Sequence, residues 1–155
     1  MFYPFCLLLL TACSVHLGGL VTGPSADHRG LLLATPEGGQ VALHLQQQQE
    51  FLVSLQGLYL EVWGKKRGQK ISFDRWRVHQ GPHGLETWVG LLKSHGEDLG
   101  LLDNNSGVIY VVDRDSHDLL RPLLGFPVLI EGYVDAPFRI HVTYYRDLRV
   151  VKESP

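Results

Sequence analysis

The stretch Gly57-Leu58-Tyr59-Leu60-Glu61-Val62-Trp63-Gly64 returns later in the chain as Gly125-Phe126-Pro127-Val128-Leu129-Ile130-Glu131-Gly132. Each is an apolar strand bracketed by glycines. In the first, Leu58, Leu60 and Val62 point to one side and Tyr59, Glu61 and Trp63 to the other, because side chains alternate along a strand. The flanks correspond too. Leu52 and Leu55 precede Gly57 at the spacing with which Leu120 and Leu123 precede Gly125, and Ile71, Phe73, Trp76 and Arg77 have the mutual spacing of Ile140, Val142, Tyr145 and Arg146. Self-similarity of this kind predicts a duplicated small β unit.

Outward from the first strand, Leu31-Leu32-Leu33, the turn Thr35-Pro36-Glu37-Gly38-Gly39 and Val41 to Leu45 predict a hairpin with Val41, Leu43 and Leu45 on one face. Gln46 to Leu55 places Phe51, Leu52 and Leu55 on one side of a short helix. Lys65-Lys66-Arg67-Gly68-Gln69-Lys70 reads as a hairpin turn and Ile71 to Val78 as the returning strand. Alternation changes phase between Phe73 and Trp76, which predicts a β-bulge near Asp74-Arg75. His79 to Gly84, rich in glycine and proline, separates the copies. In the second copy, strands at 87–92, 99–102 and 108–112 alternate with turn-forming clusters. A helix carrying Leu119, Leu120, Leu123 and Leu124 follows, then the second bracketed strand, a turn at Asp135-Ala136-Pro137 and a last strand over 138–151.

The 155 residues suffice for one ordinary domain or two very small ones, and 45% hydrophobic content supplies a core. Seventeen glycines and eight prolines spread along the chain suit a turn-rich β protein better than a helical bundle. A formal net charge of -2 gives no long-range field that would gather nucleic acid or an anionic membrane, so nucleic acid is disfavoured as a partner.

Met1 to Ala12 contains the apolar block Phe5-Cys6-Leu7-Leu8-Leu9-Leu10, far short of the roughly 20 residues that span a bilayer and suited to a signal peptide. The following Leu10-Thr11-Ala12-Cys13 resembles the lipobox of bacterial lipoproteins. The resemblance implies that residues 1–12 are removed, that Cys13 is diacylated on its thiol and acylated on its new amino group, and that the protein is anchored to the cell envelope. Ser14 after the cysteine implies the outer membrane, facing the periplasm. Two acyl chains are physically sensible, since stable anchoring needs more than one. With Cys6 removed and Cys13 lipidated, no thiol remains for a disulfide, a zinc site or a nucleophile. The rival arrangement, a Cys6–Cys13 disulfide, requires the apolar start to be retained.

Residues 13–29, small, polar and glycine-rich, read as a tether; 30–79 form the first β unit, 80–87 a linker and 88–151 the second unit. Each copy runs strand, strand, short helix, strand, strand. That order resembles the oligonucleotide/oligosaccharide-binding (OB) barrel, which has a helix between its third and fourth strands. The resemblance implies two OB-like barrels in tandem; the alternative is a single β-sandwich or a split barrel.

Among eight histidines, His79 and His83 have a ligand-like spacing, but Gly81 and Pro82 between them forbid the helix that would use it. Asp113, Asp115, Ser116, His117 and Asp118 form the densest polar cluster. It lacks the glycine and distal glutamate of a calcium loop and the glycine-flanked elbow of a serine hydrolase, so it reads as a loop entering a helix capped by Ser116 or Asp118. The cations Lys65, Lys66 and Arg67 beside the aromatics Trp63, Trp76 and Tyr145 form the candidate ligand surface. The expected function is a non-catalytic binding or assembly module with an envelope protein or glycan partner and no cofactor. The alternative is a small-ligand carrier, or an accessory subunit of an envelope enzyme, using a cleft between the halves near Trp63, Trp76 and Tyr145.

Overall fold

The computed structural model describes residues 13–25, 30–68 and 70–150; the expected signal segment, 1–12, lies outside them. Two closed five-stranded barrels follow one another. The first comprises β1 (Cys13–Pro24), β2 (Gly30–Ala34), β3 (Gln40–His44), β4 (Tyr59–Arg67) and β5 (Lys70–Val78), in the order β1-β2-β3-β5-β4 with β4 closing onto β1. The second comprises β6 (Glu86–His95), β7 (Asp98–Asp103), β8 (Ile109–Val112), β9 (Pro127–Ala136) and β10 (Arg139–Asp147) in the equivalent order, with β9 closing onto β6. Third and fifth strands pair in parallel, Leu43 with Ile71 and Val112 with Ile140, and helical turns connect third to fourth. This is the OB-like order, built twice.

The start of the first barrel corrects the expected boundaries. Cys13–Pro24 is no tether; it is β1, paired with both β4 and β2. Its glycines, which make it resemble a linker, are demanded by contact. A Cβ on Gly19 would meet the Ala34 carbonyl oxygen at 2.7 Å, and one on Gly18 the Tyr59 hydroxyl at 2.5 Å. Val21 is buried, with Val15 and Leu17 packed against the same core. The first unit therefore begins at Cys13 and not at residue 30, and β6 opens at Glu86, inside the expected linker. At the far end β10 stops at Asp147, and Val151 lies outside the described residues.

The bracketed strands are equivalent in their bonding. Gly57 and Gly125 have φ of 86° and 83°, the left-handed conformation that glycine adopts most readily after a helix. Their N–H groups donate to the carbonyls of Val21 and Leu92, whose own N–H groups donate back to Leu58 and Phe126. At the other bracket Gly64 pairs with Phe73 and Gly132 with Val142, and each partner strand then bulges by one residue, at Asp74 and at Thr143. A Cβ at Gly64 would strike the Ser72 carbonyl oxygen, and one at Gly132 that of His141.

The first helix is a 3-10 helix, Gln47–Leu55, whose Leu52 and Leu55 are buried. Its counterpart runs through short turns, Arg114–Ser116, His117–Leu120 and Arg121–Leu123, and buries Leu120 and Leu123. The cap differs from expectation: Asp113, not Ser116 or Asp118, accepts the Ser116 N–H at 3.1 Å. The barrels pack on one another. Val89, Leu129 and Leu148 join the first barrel's core cluster, and the Arg146 guanidinium donates to the Ser54 and Gln56 carbonyls at 3.4 and 3.0 Å.

Candidate functional site

The residues expected to form one ligand surface divide between outside and inside. On the outer wall of the first barrel β4 runs between β1 and β5, so Trp63 has His16 on one side and Arg75 on the other. The His16 ring stacks on Trp63 with centroids 4.7 Å apart, and the Arg75 and Arg77 guanidiniums lie 4.7 and 5.7 Å from the indole centroid. Neighbouring strands thus cover the faces on which a base or sugar would stack. Arg77 also hydrogen-bonds Glu61, and that bond holds the Glu61 carboxyl below its ordinary range. Lys65, Lys66 and Arg67 continue along β4 to an exposed tip.

Trp76 and Tyr145 are corrections to the expected surface. The bulge at Asp74 turns Trp76 to the side of Phe73, so it is buried in the first core, edge-on to Phe51 at 5.8 Å. Tyr145, after the matching bulge, packs against the second core. The phase change was legible in the sequence; its consequence for Trp76 was missed.

Strand pairing puts Leu129, Glu131, Tyr144 and Arg146 at the positions of Glu61, Trp63, Arg75 and Arg77. The Glu131 side chain is fully covered by the linker, with Gly81 so near that a Cβ there would strike the carboxylate. Its oxygens accept the His83 and Leu85 N–H groups at 2.8 and 2.9 Å, and His83 Nδ1 lies at 3.0 Å. Burial pushes this carboxyl up, but the donors from Leu85 and His83 together outweigh it and leave it below its ordinary range. His83 is therefore part of a clamp on the linker, while the His79 ring packs edge-on against Tyr59 at 5.9 Å.

A cleft of about 650 Å³ lies on the second barrel between the β6–β7 turn, β8 and the β9–β10 tip. In an OB-like barrel these are the elements that frame ligands. Val111 and Val112 supply its aliphatic wall. Arg114 bonds Asp98 at 3.1 Å, and Arg139 grips both oxygens of Asp135 at 2.8 and 3.2 Å, which lowers the Asp135 carboxyl. Asp113 is committed to structure, accepting the Val142 N–H at 2.7 Å besides capping the helix. Asp115 and His141 complete the rim. At the tip, Phe138 is 60% exposed, has φ of 58°, and sits 6.3 Å from the Tyr110 ring.

This cleft presents fixed donors and acceptors beside aliphatic surface, an arrangement suited to a polar chain. Sequence reasoning treated Asp113–Asp118 and Asp135-Ala136-Pro137 as separate turns; an aromatic residue directly after a turn was the available signal for the second. Between the barrels lies another cleft, of about 370 Å³, lined by Arg77, His79, Glu86, Asp103 and Asn105 with Trp88 and Tyr110. Trp63, Trp76 and Tyr145 do not line it. Cys13, at the head of β1, is exposed with a free thiol. No family model matches the chain, and comparison with curated proteins and with solved structures found no match.

Proposed function

We propose that this chain is a bacterial envelope lipoprotein, anchored through acylated Cys13 to the outer membrane and facing the periplasm, whose barrels form a non-catalytic binding or assembly module. The anchor is supported by Leu10-Thr11-Ala12-Cys13 and by the exposed side chain of Cys13. The binding role rests on one observation: the second barrel's cleft sets two carboxylate–guanidinium pairs beside an aliphatic wall, next to the hairpin tip that carries the strained, exposed Phe138. A partner that fits is a segment of an envelope protein or a glycan strand, each offering hydrogen-bonding groups along an extended chain. A binding role without catalysis fits the commitment of the carboxylates of Asp98, Asp113 and Asp135 to arginines or backbone. The carrier reading is less well supported, because the cleft between the barrels sets charged and amide groups (Arg77, Glu86, Asp103, Asn105) among its few apolar residues, unlike the apolar cavities that hold small ligands.

Affinity capture of the membrane-anchored protein from its own envelope tests the binding role. Phe138→Ala and Arg114→Ala should each lose the captured partner while remaining folded; capture unchanged in both would defeat the reading. For the anchor, Cys13→Ala should leave the chain unprocessed and unlipidated, and normal maturation of that variant would overturn it.

A further inference from the structure

The second barrel shows what this fold requires in the hairpin between its fourth and fifth strands, and a cluster of cations is not part of it. By strand pairing, Lys65 and Lys66 stand where the second barrel has Tyr133 and Val134, and Lys70 where it has Arg139. Lys65, Lys66, Arg67 and Lys70 are all exposed. Among the described residues none of the four makes an ion pair, whereas Arg77, Arg114, Arg139 and Arg149 each meet a carboxylate. Lys65 and Lys66 have uncharged counterparts in the second barrel, and the cation at the position of Lys70, Arg139, is there paired with Asp135.

The same hairpin lies against the head of β1. Ser14 pairs with Lys65 and Cys13 with Lys66, one strand spacing, about 4.8 Å, away. Because β1 begins at Cys13, there is no intervening tether between the proposed acylation site and the barrel wall.

We propose that the β4–β5 hairpin is a membrane-contact surface, on which Lys65, Lys66, Arg67 and Lys70 rest against anionic phospholipid headgroups beside acylated Cys13. This rests on the Cys13 anchor proposed above. A lipid chain on Cys13 carries the end of its own strand to the interface, and strand pairing brings the cations there without further ordering. Each cation close to an anionic leaflet strengthens contact roughly fivefold, so one hairpin suffices to hold the first barrel end-on. An acyl anchor with a basic patch is also a physically complete two-part attachment.

Both barrels close within residues 13–147, so a chain beginning at Cys13 contains all ten described strands. It is coupled through the Cys13 thiol to a maleimide-bearing lipid in vesicles of phosphatidylcholine, or of phosphatidylcholine with phosphatidylglycerol. A membrane-impermeant amine reagent then reports the reactivity of Lys65, Lys66 and Lys70 against exposed Lys93. On the anionic vesicles the three hairpin lysines should be protected about tenfold, and protection should vanish in about 1 M salt, where charges are screened within about 3 Å. In Lys66→Gln/Arg67→Gln, protection of Lys65 and Lys70 should fall at least severalfold. Equal reactivity on both vesicle types, or equal protection on both, would overturn the proposal. So would tighter retention of the uncoupled chain by soluble polyphosphate than by anionic vesicles, which would make the hairpin a site for an anionic polymer. Chemical coupling makes this outcome independent of biological acylation, which the maturation of Cys13→Ala tests separately.

Discussion

The outer wall of the first barrel and that of the second are one surface built twice and used in opposite ways. In the first, Glu61, Trp63, Arg75 and Arg77 close on one another, with His16 completing the stack. In the second, the matched Leu129 and Arg146 reach across to the first barrel, and Glu131 holds the linker. Inward-facing positions show no such divergence: Leu60 and Val128, Val62 and Ile130, Trp76 and Tyr145 remain apolar or aromatic in both copies. A closed barrel fixes the chemistry of its interior and leaves its exterior free to specialise. Specialised function is therefore to be sought where the copies disagree, on the walls and at the two hairpin tips.

The comparison breaks most readily through the core. Leu52→Ala and Leu120→Ala remove equivalent, fully buried side chains, and each should cost about 3–5 kcal/mol in urea unfolding. Because residues of the second barrel complete the first barrel's core, both variants should unfold in a single transition. Two resolved steps, each responding to only one substitution, would show that the barrels are energetically independent. Gly64→Ala and Gly132→Ala come next. Each adds a Cβ against a partner-strand carbonyl, so each should cost about 2–3 kcal/mol, and a large difference between them would end the claim of structural equivalence.

Glu131 sharpens the contrast with its counterpart Trp63. Glu131→Gln should cost about 2 kcal/mol, since charge-assisted bonds to the linker are replaced by neutral ones. The folded carboxyl lies below its ordinary value, so its stabilisation is fully present above the unfolded value, about 4.3, and is lost as pH falls through the lower folded one. Hydrogen exchange at the His83 and Leu85 amides should accelerate relative to the core over that acid window, and Glu131→Gln should flatten the response. A response that persists in Glu131→Gln would assign the linker's pH dependence to another group.

Much of the fold was legible because a strand's period and a close-packed glycine both leave marks in sequence. Gly57 and Gly64 declared their strand, Gly125 and Gly132 its twin, and the phase change between Phe73 and Trp76 declared the bulge. β1 was illegible for a related reason. Gly18 and Gly19 weaken its apolar alternation to make room for Tyr59 and the Ala34 carbonyl, partners that only the closed barrel brings together. The candidate surface failed in the same way: Trp63 and Trp76 are close in sequence, but one residue of bulge separates solvent from core. The second-barrel cleft depends on elements distant in the chain, as in the bond from Arg114 to Asp98, and composition does not encode that meeting.

The smallest expected effect on stability carries the most information about use. Each hairpin tip contains a left-handed residue with φ of 58°: Gly68 in the first barrel and Phe138 in the second. Such a conformation costs a side-chain-bearing residue about 1–2 kcal/mol relative to glycine, and a weak ring contact with Tyr110 returns part of this. Phe138→Gly should therefore leave stability unchanged or raise it by up to about 1 kcal/mol, read by urea unfolding. If the exposed ring is kept for recognition, the same variant should lose the captured envelope partner despite its sound fold. A loss of more than about 1 kcal/mol would instead make Phe138 a structural part of the tip. In that event the strain would be local stabilisation misread as function, and the first barrel's glycine would be the exception that needs explaining.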